Sequence, residues 1–380
     1  MVGDEDQSIY GFRAAYPQAL LNFEKIYKNS KVLLMETNYR STPEILNVAN
    51  QFIKQNKNRK NKEIVPFRKK GKNIQLLKLK SIEEQYNYIL KTAKNIKKNE
   101  TMAILYRNND SAIPIVNMLN KNRIDFTIKE SDYSFFDHYI VSDIKDFINF
   151  YIDQNNIELF KKIYYKINCG ISKKHMDRLE KRLLQQGNSN ALSGLIYLDE
   201  TVFWQRKKLK KIQNELISWK KKSSYKILKS IFEDLEYKIY LKKKKADSSN
   251  NLQKISALYS LSKQNHKIKD FLECLNKLEQ DTKFGKHSGS NLVLSTIHAS
   301  KGLEYDRVLI IDAIDGIIPC VDKVEDEKDE SFMQYEEEVR LFYVALTRAK
   351  TDLEVITYKE RYGEKVEFSK FTENLIWNII

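Results

Sequence analysis

The sequence predicts an α/β protein in which a parallel sheet is interrupted by an all-helical insertion. From Lys31 to Ile128, short apolar runs alternate with segments of helical periodicity, which is typical of a parallel sheet covered by helices. From about Phe136 the apolar residues recur with helical spacing, and few strand candidates remain. Strand-like runs return after the glycine- and serine-containing stretch 285–290, which we interpret as a flexible joint.

The first α/β block is predicted to alternate strands with helices. The predicted strands are Lys31–Glu36, Ile74–Leu79, Met102–Tyr106 and a run near Phe126–Ile128. The predicted helices are Tyr16–Tyr27, a helix beginning at Ser41–Glu44, Ile82–Ile96 and Ala112–Asn120. Ser41 or Thr42 can cap the free amides of the second helix, and Pro43 suits its first turn.

The insertion and the second α/β block are predicted from the same two patterns, namely helical spacing of apolar residues and short apolar runs typical of strands. Helical spacing covers Val141–Tyr151, Ile157–Tyr165, Lys173–Gln185, Leu209–Trp219, Tyr225–Leu241 and Leu252–Leu278. The later strands are predicted at Leu292–Thr296, Val308–Asp312 and Leu353–Thr357, with a helix over Glu336–Ala349. We therefore expect a sheet that is interrupted by the helical block and then resumed.

Composition favours a soluble globular chain that is long enough for two domains. The 380 residues are 42% hydrophobic and 31% charged, and no stretch approaches the ~20 consecutive apolar residues of a membrane span. We therefore expect no membrane association, and no secretory leader precedes the first motif described below. The three cysteines lack metal-ligand or disulfide spacing, which favours a reducing cytoplasm.

The net charge of +15 favours a polyanionic partner, with nucleic acid preferred over an anionic membrane. Between Arg206 and Lys245 there are 15 Lys and Arg against 4 Asp and Glu. This stretch, interleaved with Trp204, Trp219 and Tyr225, either binds a nucleic-acid backbone or forms solvated helices with core aromatics.

Four segments combine polar, aromatic and cationic residues: Val2–Arg13, Asn38–Thr42, Ser295–Glu304 and Val344–Ala349. In this order they resemble the later motifs of the UvrD/PcrA/Rep type of superfamily-1 DNA helicase. Four separate matches in the right order make chance a poor explanation.

The resemblance implies a parallel RecA-like sheet domain, the second motor domain (2A), which is interrupted by a helical subdomain (2B). Residues 1–27 would be a remnant of the first motor domain (1A). Residues 28–135 and 288–380 would form 2A, and residues 136–287 would form 2B. Within 2B, Cys169–Ser172 faintly resembles a Gly-Ile-Gly turn that approaches duplex phosphates in the family.

The first motif offers an amide, an aromatic ring and an arginine. An amide side chain in the loop Gly3–Gln7 can hydrogen-bond a terminal phosphate or its attacking water, and the resemblance assigns this role to Gln7. Phe12 offers a flat ring to an unstacked base, which is worth ~1–3 kcal/mol. Arg13 would connect the nucleotide to the DNA. The alternative is that the rings are hydrophobic packing and the loop carboxylates are solvated.

Tyr39 and Arg40 follow a predicted strand, so they are expected at the ligand-binding edge of the sheet. The resemblance implies that Tyr39 stacks on adenine and that Arg40 reaches the γ-phosphate. A guanidinium suits this role because its planar fork stays charged and binds phosphate bidentately.

The third motif ends a strand, and Gly302 lies in a turn that lets the backbone approach a ligand. The resemblance assigns Thr296 and His298 to single-stranded DNA and Glu304 to a ribose hydroxyl of the nucleotide. Asp306 departs from the family, which often has proline at this position, and so removes a restraint on the loop.

Arg348 lies near the end of an apolar helix, where an arginine without a partner is well placed to bind an anion. The resemblance implies an arginine finger on the γ-phosphate, a role that can be worth ~10³–10⁵ in turnover. The alternative is an ion pair with Glu336, Glu337 or Glu338, although Arg340 is the more favourable partner for these acids.

Taken together, the resemblance implies the C-terminal portion of an ATP-dependent 3′–5′ DNA helicase that uses ATP and Mg²⁺ and binds single-stranded and duplex DNA. A motor of this class needs a phosphate loop, Gly-x-x-x-x-Gly-Lys-Ser/Thr, together with acidic Mg²⁺ ligands. Neither Lys70–Asn73 nor Gly285–Ser288 has the required glycines, hydroxyl and spacing.

We therefore expect the Mg²⁺ ligands to lie outside this chain and the missing part to come from elsewhere, for example a separate N-terminal helicase half. We expect the chain alone to be inactive as an ATPase and as a helicase. Two alternatives are a motor-dead DNA-binding or regulatory protein that keeps the fold and, with less support, a RecB/AddA-like subunit.

Overall fold

A computed structural model of the chain describes residues 2–11, 17–129, 134–186, 190–244, 249–284, 289–323, 326 and 329–376. The chain divides into two compact units. The sheet unit comprises Met1–Ser131 and His287–Ile380, and it includes residues 1–27. The helical unit comprises Asp132–Lys286.

The strands belong to the sheet unit. They are β1 (Thr37–Asn38), β2 (Val65–Pro66), β3 (Gln75–Ser81), β4 (Met102–Tyr106), β5 (Thr127–Lys129), β6 (Leu292–Thr296), β7 (Tyr305–Ile310), β8 (Ala349–Arg361) and β9 (Glu364–Lys365). β1 and β2 form a small parallel pair. The other strands form a sheet in the order β3-β8-β7-β4-β6-β5, all parallel, with β9 antiparallel to β8. Because β3–β5 precede the insertion and β6–β9 follow it, the predicted fold class is confirmed.

The helices follow the same division. Before the insertion they are α1 (Gln18–Leu21), α2 (Phe23–Ile26), α3 (Pro43–Ile53), α4 (Ile82–Lys94) and α5 (Ala112–Lys121). In the helical unit they are α6 (Ser134–Asp137), α7 (Tyr139–Ile152), α8 (Ile157–Ile163), α9 (Lys173–Gln186), α10 (Ala191–Ile196), α11 (Phe203–Ser218), α12 (Ser224–Glu233), α13 (Tyr237–Lys243), α14 (Ser249–Gln264) and α15 (Ile268–Phe284). After it come α16 (Glu330–Leu346) and α17 (Lys370–Ile376). No helix in the described ranges is both long and apolar enough to cross a membrane.

The core of the sheet unit holds helix α16 firmly in place. Strands β4 and β6 are buried along their whole length, as expected of strands covered on both faces. On α16 the residues from Val339 to Leu346 are buried against this sheet. The Phe342 ring of α16 lies 5.1 Å from Phe52 of α3 and 5.5 Å from Phe371 of α17, measured between ring centroids. The end of α16 is therefore a rigid support for the residues that follow it.

The strand predicted over Lys31–Glu36 is wrong, because these residues form no strand. Leu33 and Met35 are 79% and 86% exposed. A strand needs a neighbour for its backbone hydrogen bonds. Within the described residues the segment is joined to another strand by one such bond, from the Val65 amide to the Glu36 carbonyl at 2.7 Å.

Several predicted helices are broken by local backbone geometry. The helix predicted over Tyr225–Leu241 is two helices, because Glu236 takes a left-handed conformation with φ 60° before α13. The helix predicted over Leu252–Leu278 is likewise divided into α14 and α15. The helix predicted at Tyr16–Tyr27 is interrupted at Asn22, and its first residue lies outside the described ranges, as does most of the predicted joint 285–290.

The predicted cap of α3 is also different. Thr42 occupies the N-cap position, but neither of the two candidate hydroxyls caps the helix. Instead, the Ser41 hydroxyl donates to the Ala349 carbonyl at 2.7 Å, which joins the start of α3 to β8.

In the helical unit, two of the three aromatic residues of the basic stretch pack internally. Trp219 is 1% exposed and donates to the Ser230 hydroxyl at 3.0 Å. The Tyr225 ring lies 5.5 Å from that of Tyr259. Trp204, in contrast, is 51% exposed. The unit carries 31 Lys and Arg against 19 Asp and Glu, so +12 of the net charge of +15 belongs to it.

Candidate functional site

The N-terminal segment of the sheet unit forms a 3-10 turn, Glu5–Gln7, that presents the amide of Gln7. Asp4 begins this turn by accepting the Asp6 amide at 3.1 Å. The other oxygen of Asp4 accepts from Gln7 Nε2 at 2.6 Å. Because the amide nitrogen of Gln7 is held in this way, its Oε1 is left for Arg348, whose Nη2 lies 3.4 Å from it.

The three carboxylates of this turn are held by two cations that follow α3. Lys62 Nζ lies 2.6 Å from Asp4, 3.1 Å from Glu5 and 3.2 Å from Asp6. Arg59 binds Asp6 through two bonds, of 3.1 and 2.9 Å. Burial alone would lower the pKa of Lys62, but the three carboxylates raise it above its ordinary value. The interpretation of these carboxylates as solvated is therefore wrong for Glu5 and Asp6, which are 6% and 1% exposed.

Arg348 is a buried cation whose described hydrogen-bond partners are all neutral. It lies between α16 and β8 and is 1% exposed. Its guanidinium donates to the carbonyls of Val344 and Leu303 at 2.9 and 3.0 Å, to the Thr347 hydroxyl at 3.0 Å and to Gln7 Oε1 at 3.4 Å. Within the described part of the chain, no carboxylate forms an ion pair with it. A cation in this state is available for an anionic ligand.

The pKa of Arg348 reflects this environment. Burial, followed by the charge of Arg40, lowers it to about 10. The predicted alternative, an ion pair between Arg348 and an acid of α16, is not seen among the described residues. Instead, Arg340 Nη1 lies 3.7 Å from Glu336, as expected for residues one helical turn apart.

Arg40 reaches the same region from the end of β1. Its Nε donates to Glu304 at 2.8 Å, and its Nη1 donates to the Thr347 carbonyl at 3.3 Å. The other oxygen of Glu304 lies 3.1 Å from Lys350. Hydrogen bonds from Arg40 and Lys350 lower the pKa of Glu304. Glu304 therefore stays ionised and balances one of the two neighbouring arginines.

Tyr39, which precedes Arg40, is 64% exposed. Its ring contacts that of Phe67, with the centroids 4.8 Å apart. The sheet unit thus brings together an exposed aromatic side chain, two adjacent arginines, a carboxylate and an amide. Such an arrangement can bind a phosphate between the guanidinium groups and hold an aromatic base beside them.

Two family models together match most of the chain. Residues 33–360 match the model described as "UvrD-like helicase C-terminal domain", and residues 1–28 match the "UvrD/REP helicase N-terminal domain". The chain belongs to the UvrD-like helicase family.

Its relatives include three bacterial helicases. The ATP-dependent DNA helicase Rep of Buchnera aphidicola is 30% identical, over 96% of this chain and 59% of that protein. The ATP-dependent DNA helicase PcrA of Staphylococcus epidermidis is 29% identical, over 92% of this chain and 50% of the relative. DNA helicase II of Rickettsia typhi is 26% identical, over 94% of this chain and 56% of that protein. The chain therefore spans between half and three fifths of the length of these relatives.

The DNA-contact residues that the helicase resemblance assigns are only partly described. Phe12 and Arg13 lie outside the described residues. Thr296 is 7% exposed, and its hydroxyl accepts the Ala299 amide at 3.0 Å, so it stabilises the turn after β6. His298 is half-buried, and its carbonyl accepts from the Tyr10 hydroxyl at 3.3 Å. Tyr10 thus joins the first motif to the third.

Two further features of this helicase-family chain concern the third motif. Gly302 has φ +85°, so the predicted turn needs glycine at this position. Asp306, where the family often has proline, accepts both the amide and the hydroxyl of Thr101, at 2.9 and 2.8 Å. Asp306 lies in β7, so the prediction that it removes a restraint on a loop is wrong, and its hydrogen bonds join the start of β7 to Thr101, the residue before β4.

Among the described side chains, no three or more His, Cys, Asp or Glu residues form a group that could hold a metal ion. The carboxylates of Asp4, Glu5 and Asp6 are paired with Lys62 and Arg59. These groups therefore do not fit a resident divalent cation.

Proposed function

We propose that this chain forms the C-terminal part of an ATP-dependent 3′–5′ DNA helicase, in which it senses the nucleotide and contacts DNA. The observation that carries the proposal is Arg348, a buried cation with neutral partners, adjacent to Arg40 and Gln7. The names of its relatives support both the nucleotide and the DNA.

In this proposal, residues of the sheet unit contact the base, the ribose and the terminal phosphate of the nucleotide in turn. Tyr39 stacks on the adenine base, and Glu304 accepts a ribose hydroxyl. Arg40 and Arg348 bind the terminal phosphate, and Gln7 orients the attacking water. ATP supplies the phosphoanhydride bond whose hydrolysis drives movement along DNA. Mg²⁺ accompanies the nucleotide and takes its protein ligands from outside this chain.

Glu304 has a second consequence for binding. Because it neutralises Arg40 in this structure, a phosphate that binds Arg40 competes with the carboxylate for the guanidinium. Both side chains are partly exposed, at 27% and 45%, so the exchange does not bury an unpaired charge. We propose that this exchange reports the bound phosphate to the third motif, to which Glu304 belongs.

The DNA contacts are proposed for two places. Phe12, Arg13, Thr296 and His298 bind single-stranded DNA, and the helical unit, with its net charge of +12, contacts duplex phosphates. We also propose the predicted 1A, 2A and 2B divisions, a cytoplasmic location, and a phosphate cradle supplied by a helicase N-terminal part, either joined to this sequence or separate.

The nucleotide site is tested by measuring inorganic triphosphate and ATP binding by calorimetry. Arg348→Ala should weaken both ligands by about 10- to 150-fold, the range for a lost charge-assisted hydrogen bond. Arg123→Ala, at an exposed position in the same unit, is the matched control and should bind normally. Unchanged affinity in a folded Arg348→Ala variant would contradict the nucleotide role and favour a motor-dead DNA-binding protein.

The DNA site is tested by binding of a fluorescent single-stranded oligonucleotide at several salt concentrations. The affinity should fall steeply as salt rises, because bound phosphates release counterions. Phe12→Ala should weaken binding by about 5- to 150-fold, since one stacked base is lost. Affinity that is independent of salt and of Phe12 would refute this part of the proposal.

A further inference from the structure

An aromatic residue followed by an arginine comes after each strand of the β1–β2 pair. Tyr39 and Arg40 come directly after β1, and Phe67 and Arg68 come directly after β2. The strands are parallel and in register. Each aromatic side chain therefore leaves the pair at the same end as the other, and each is followed by an arginine.

The two rings are in contact and both are exposed. Their centroids lie 4.8 Å apart and their planes are inclined by 47°, within the range of favourable aromatic pairs. Tyr39 is 64% exposed and Phe67 is 69% exposed. Two large rings that pack on each other while facing water leave apolar area that a flat ligand could cover.

Hydrogen bonds at the base of the rings hold this pair together. The Phe67 amide donates to the Asn38 carbonyl at 2.9 Å, which continues the β1–β2 ladder. Arg68 Nε donates to the Tyr39 carbonyl at 3.2 Å. Each aromatic residue is therefore tied to the other strand, so the orientation of the Tyr39 ring depends on the segment that carries Phe67.

We propose that Phe67 is a further nucleobase-binding residue, which supports the Tyr39 ring and extends the aromatic surface on which the base lies. The proposal rests on the proposed nucleotide site, and it adds a specificity element to it. The polar end of that site begins one residue from Tyr39, at Arg40, which binds Glu304 at 2.8 Å.

The ring spacing limits how the base can bind. A base inserted between two rings needs about 3.5–4.0 Å on each side, so the rings would have to lie about 7–8 Å apart, whereas their centroids are 4.8 Å apart. The base must therefore lie on the outer surface of the pair rather than between the rings. A larger aromatic surface favours a purine, because a purine covers more of it than a pyrimidine does.

The experiment compares the affinities of the full chain for ATP, CTP and inorganic triphosphate. Phe67→Ala should weaken ATP binding by about 2- to 10-fold, the value of one aromatic contact, and reduce the preference for ATP over CTP. Triphosphate, which has no base, should bind within about twofold of the wild-type chain, and Phe67→Tyr should restore ATP binding. Leu33→Ala, at a residue that is 79% exposed, is the matched control and should change none of these affinities.

Three results would overturn the role of Phe67. These are an ATP affinity unchanged in Phe67→Ala, an equal loss for ATP and triphosphate, and a wild-type chain that binds ATP no better than triphosphate. The proposed function fails by a different result, namely Arg348→Ala binding ATP and triphosphate as tightly as the wild-type chain. The base contact and the phosphate contact are thus tested by separate variants.

Discussion

Lys62 should stabilise the sheet unit far more than its neighbour in sequence, Lys60. Lys62 Nζ contacts three carboxylates that surround the Gln7 turn, and its side chain is 11% exposed. Lys60 pairs with Glu24, whose side chain is 56% exposed. The two lysines therefore offer a buried and a surface ion pair only two residues apart.

The loss of unfolding free energy depends on which carboxylates each substitution leaves without a cation. Lys62→Met removes a cation from buried carboxylates, although Asp6 keeps Arg59 and Glu5 keeps the Lys60 amide at 3.0 Å. Removing one partner of a buried pair costs ~3–5 kcal/mol. Because these bonds remain, we expect about 2–4 kcal/mol for Lys62→Met. Lys60→Met should cost at most about 1 kcal/mol, as for exposed pairs.

The pH dependence of this difference has a definite sign. The carboxylates raise the pKa of Lys62 in the folded state. The contribution of Lys62 to folding stability is therefore complete below the unfolded lysine pKa of about 10.4. This contribution is lost as pH rises through the higher pKa of the folded state. The difference in unfolding free energy between the wild-type chain and Lys62→Met should be constant near neutral pH and should disappear in strong alkali.

Thermal unfolding followed by circular dichroism measures both variants. A loss of 2–4 kcal/mol corresponds to a lowering of Tm by about 4–16 °C for a domain of this size. Lys62→Met should also weaken triphosphate binding, because the Gln7 turn that reaches Arg348 loses its support. Equal Tm values for Lys62→Met and Lys60→Met would refute the reasoning.

Three further predictions concern other parts of the molecule. Asp143→Ala should destabilise the helical unit by ~3–5 kcal/mol in urea unfolding followed by tryptophan fluorescence, because Lys166, 2.6 Å away, is left buried and unpaired. Because Asp143 also accepts from the buried Tyr237 hydroxyl at 2.6 Å, Asp143→Leu combined with Lys166→Met and Tyr237→Phe should recover much of this loss, and a triple variant no more stable than the single one would count against the explanation. Leu33→Lys with Met35→Lys should reduce self-association in light scattering, since exposed apolar side chains promote it; an unchanged mass distribution would exclude this cause. Asp306→Ala should lower stability by about 1 kcal/mol in thermal unfolding followed by circular dichroism, through two lost hydrogen bonds to Thr101, and no change would show that these bonds do not stabilise the start of β7.

The sheet was predictable where the strands are buried on both faces. Met102–Tyr106 and Leu292–Thr296 were predicted as strands and form β4 and β6 with these bounds. A continuous apolar run between turn residues is sufficient there, because both faces of the strand need covering. Lys31–Glu36 has the same local pattern but is exposed, so its local preference does not determine its structure. A strand forms only where a neighbouring strand pairs with it, and the spacing of apolar residues does not show whether such a neighbour exists.

The cations around the Gln7 turn were not predicted, because their partners are distant in sequence. Arg59 and Lys62 lie more than fifty residues from the carboxylates they bind. Locally they form a basic run, Arg59-Lys60-Asn61-Lys62, which is typical of solvated surface. A signal was nevertheless present, since the three consecutive acids Asp4–Asp6 and this run have opposite charges. Phe67 was missed for the same reason, although its pairing with an arginine repeats that of Tyr39.

A comparison of arginines within the sheet unit shows why Arg348 stands apart. Arg107 binds Glu338 at 2.9 Å, and this carboxylate raises the pKa of Arg107 although burial alone would lower it. Arg340 has Glu336 within 3.7 Å. Burial lowers the pKa of both Arg340 and Arg348, that of Arg348 to about 10, so the direction of the pKa shift does not separate these two arginines. What separates Arg348 from Arg107 and Arg340 is that no described carboxylate forms an ion pair with it, so its charge is left for a ligand to neutralise.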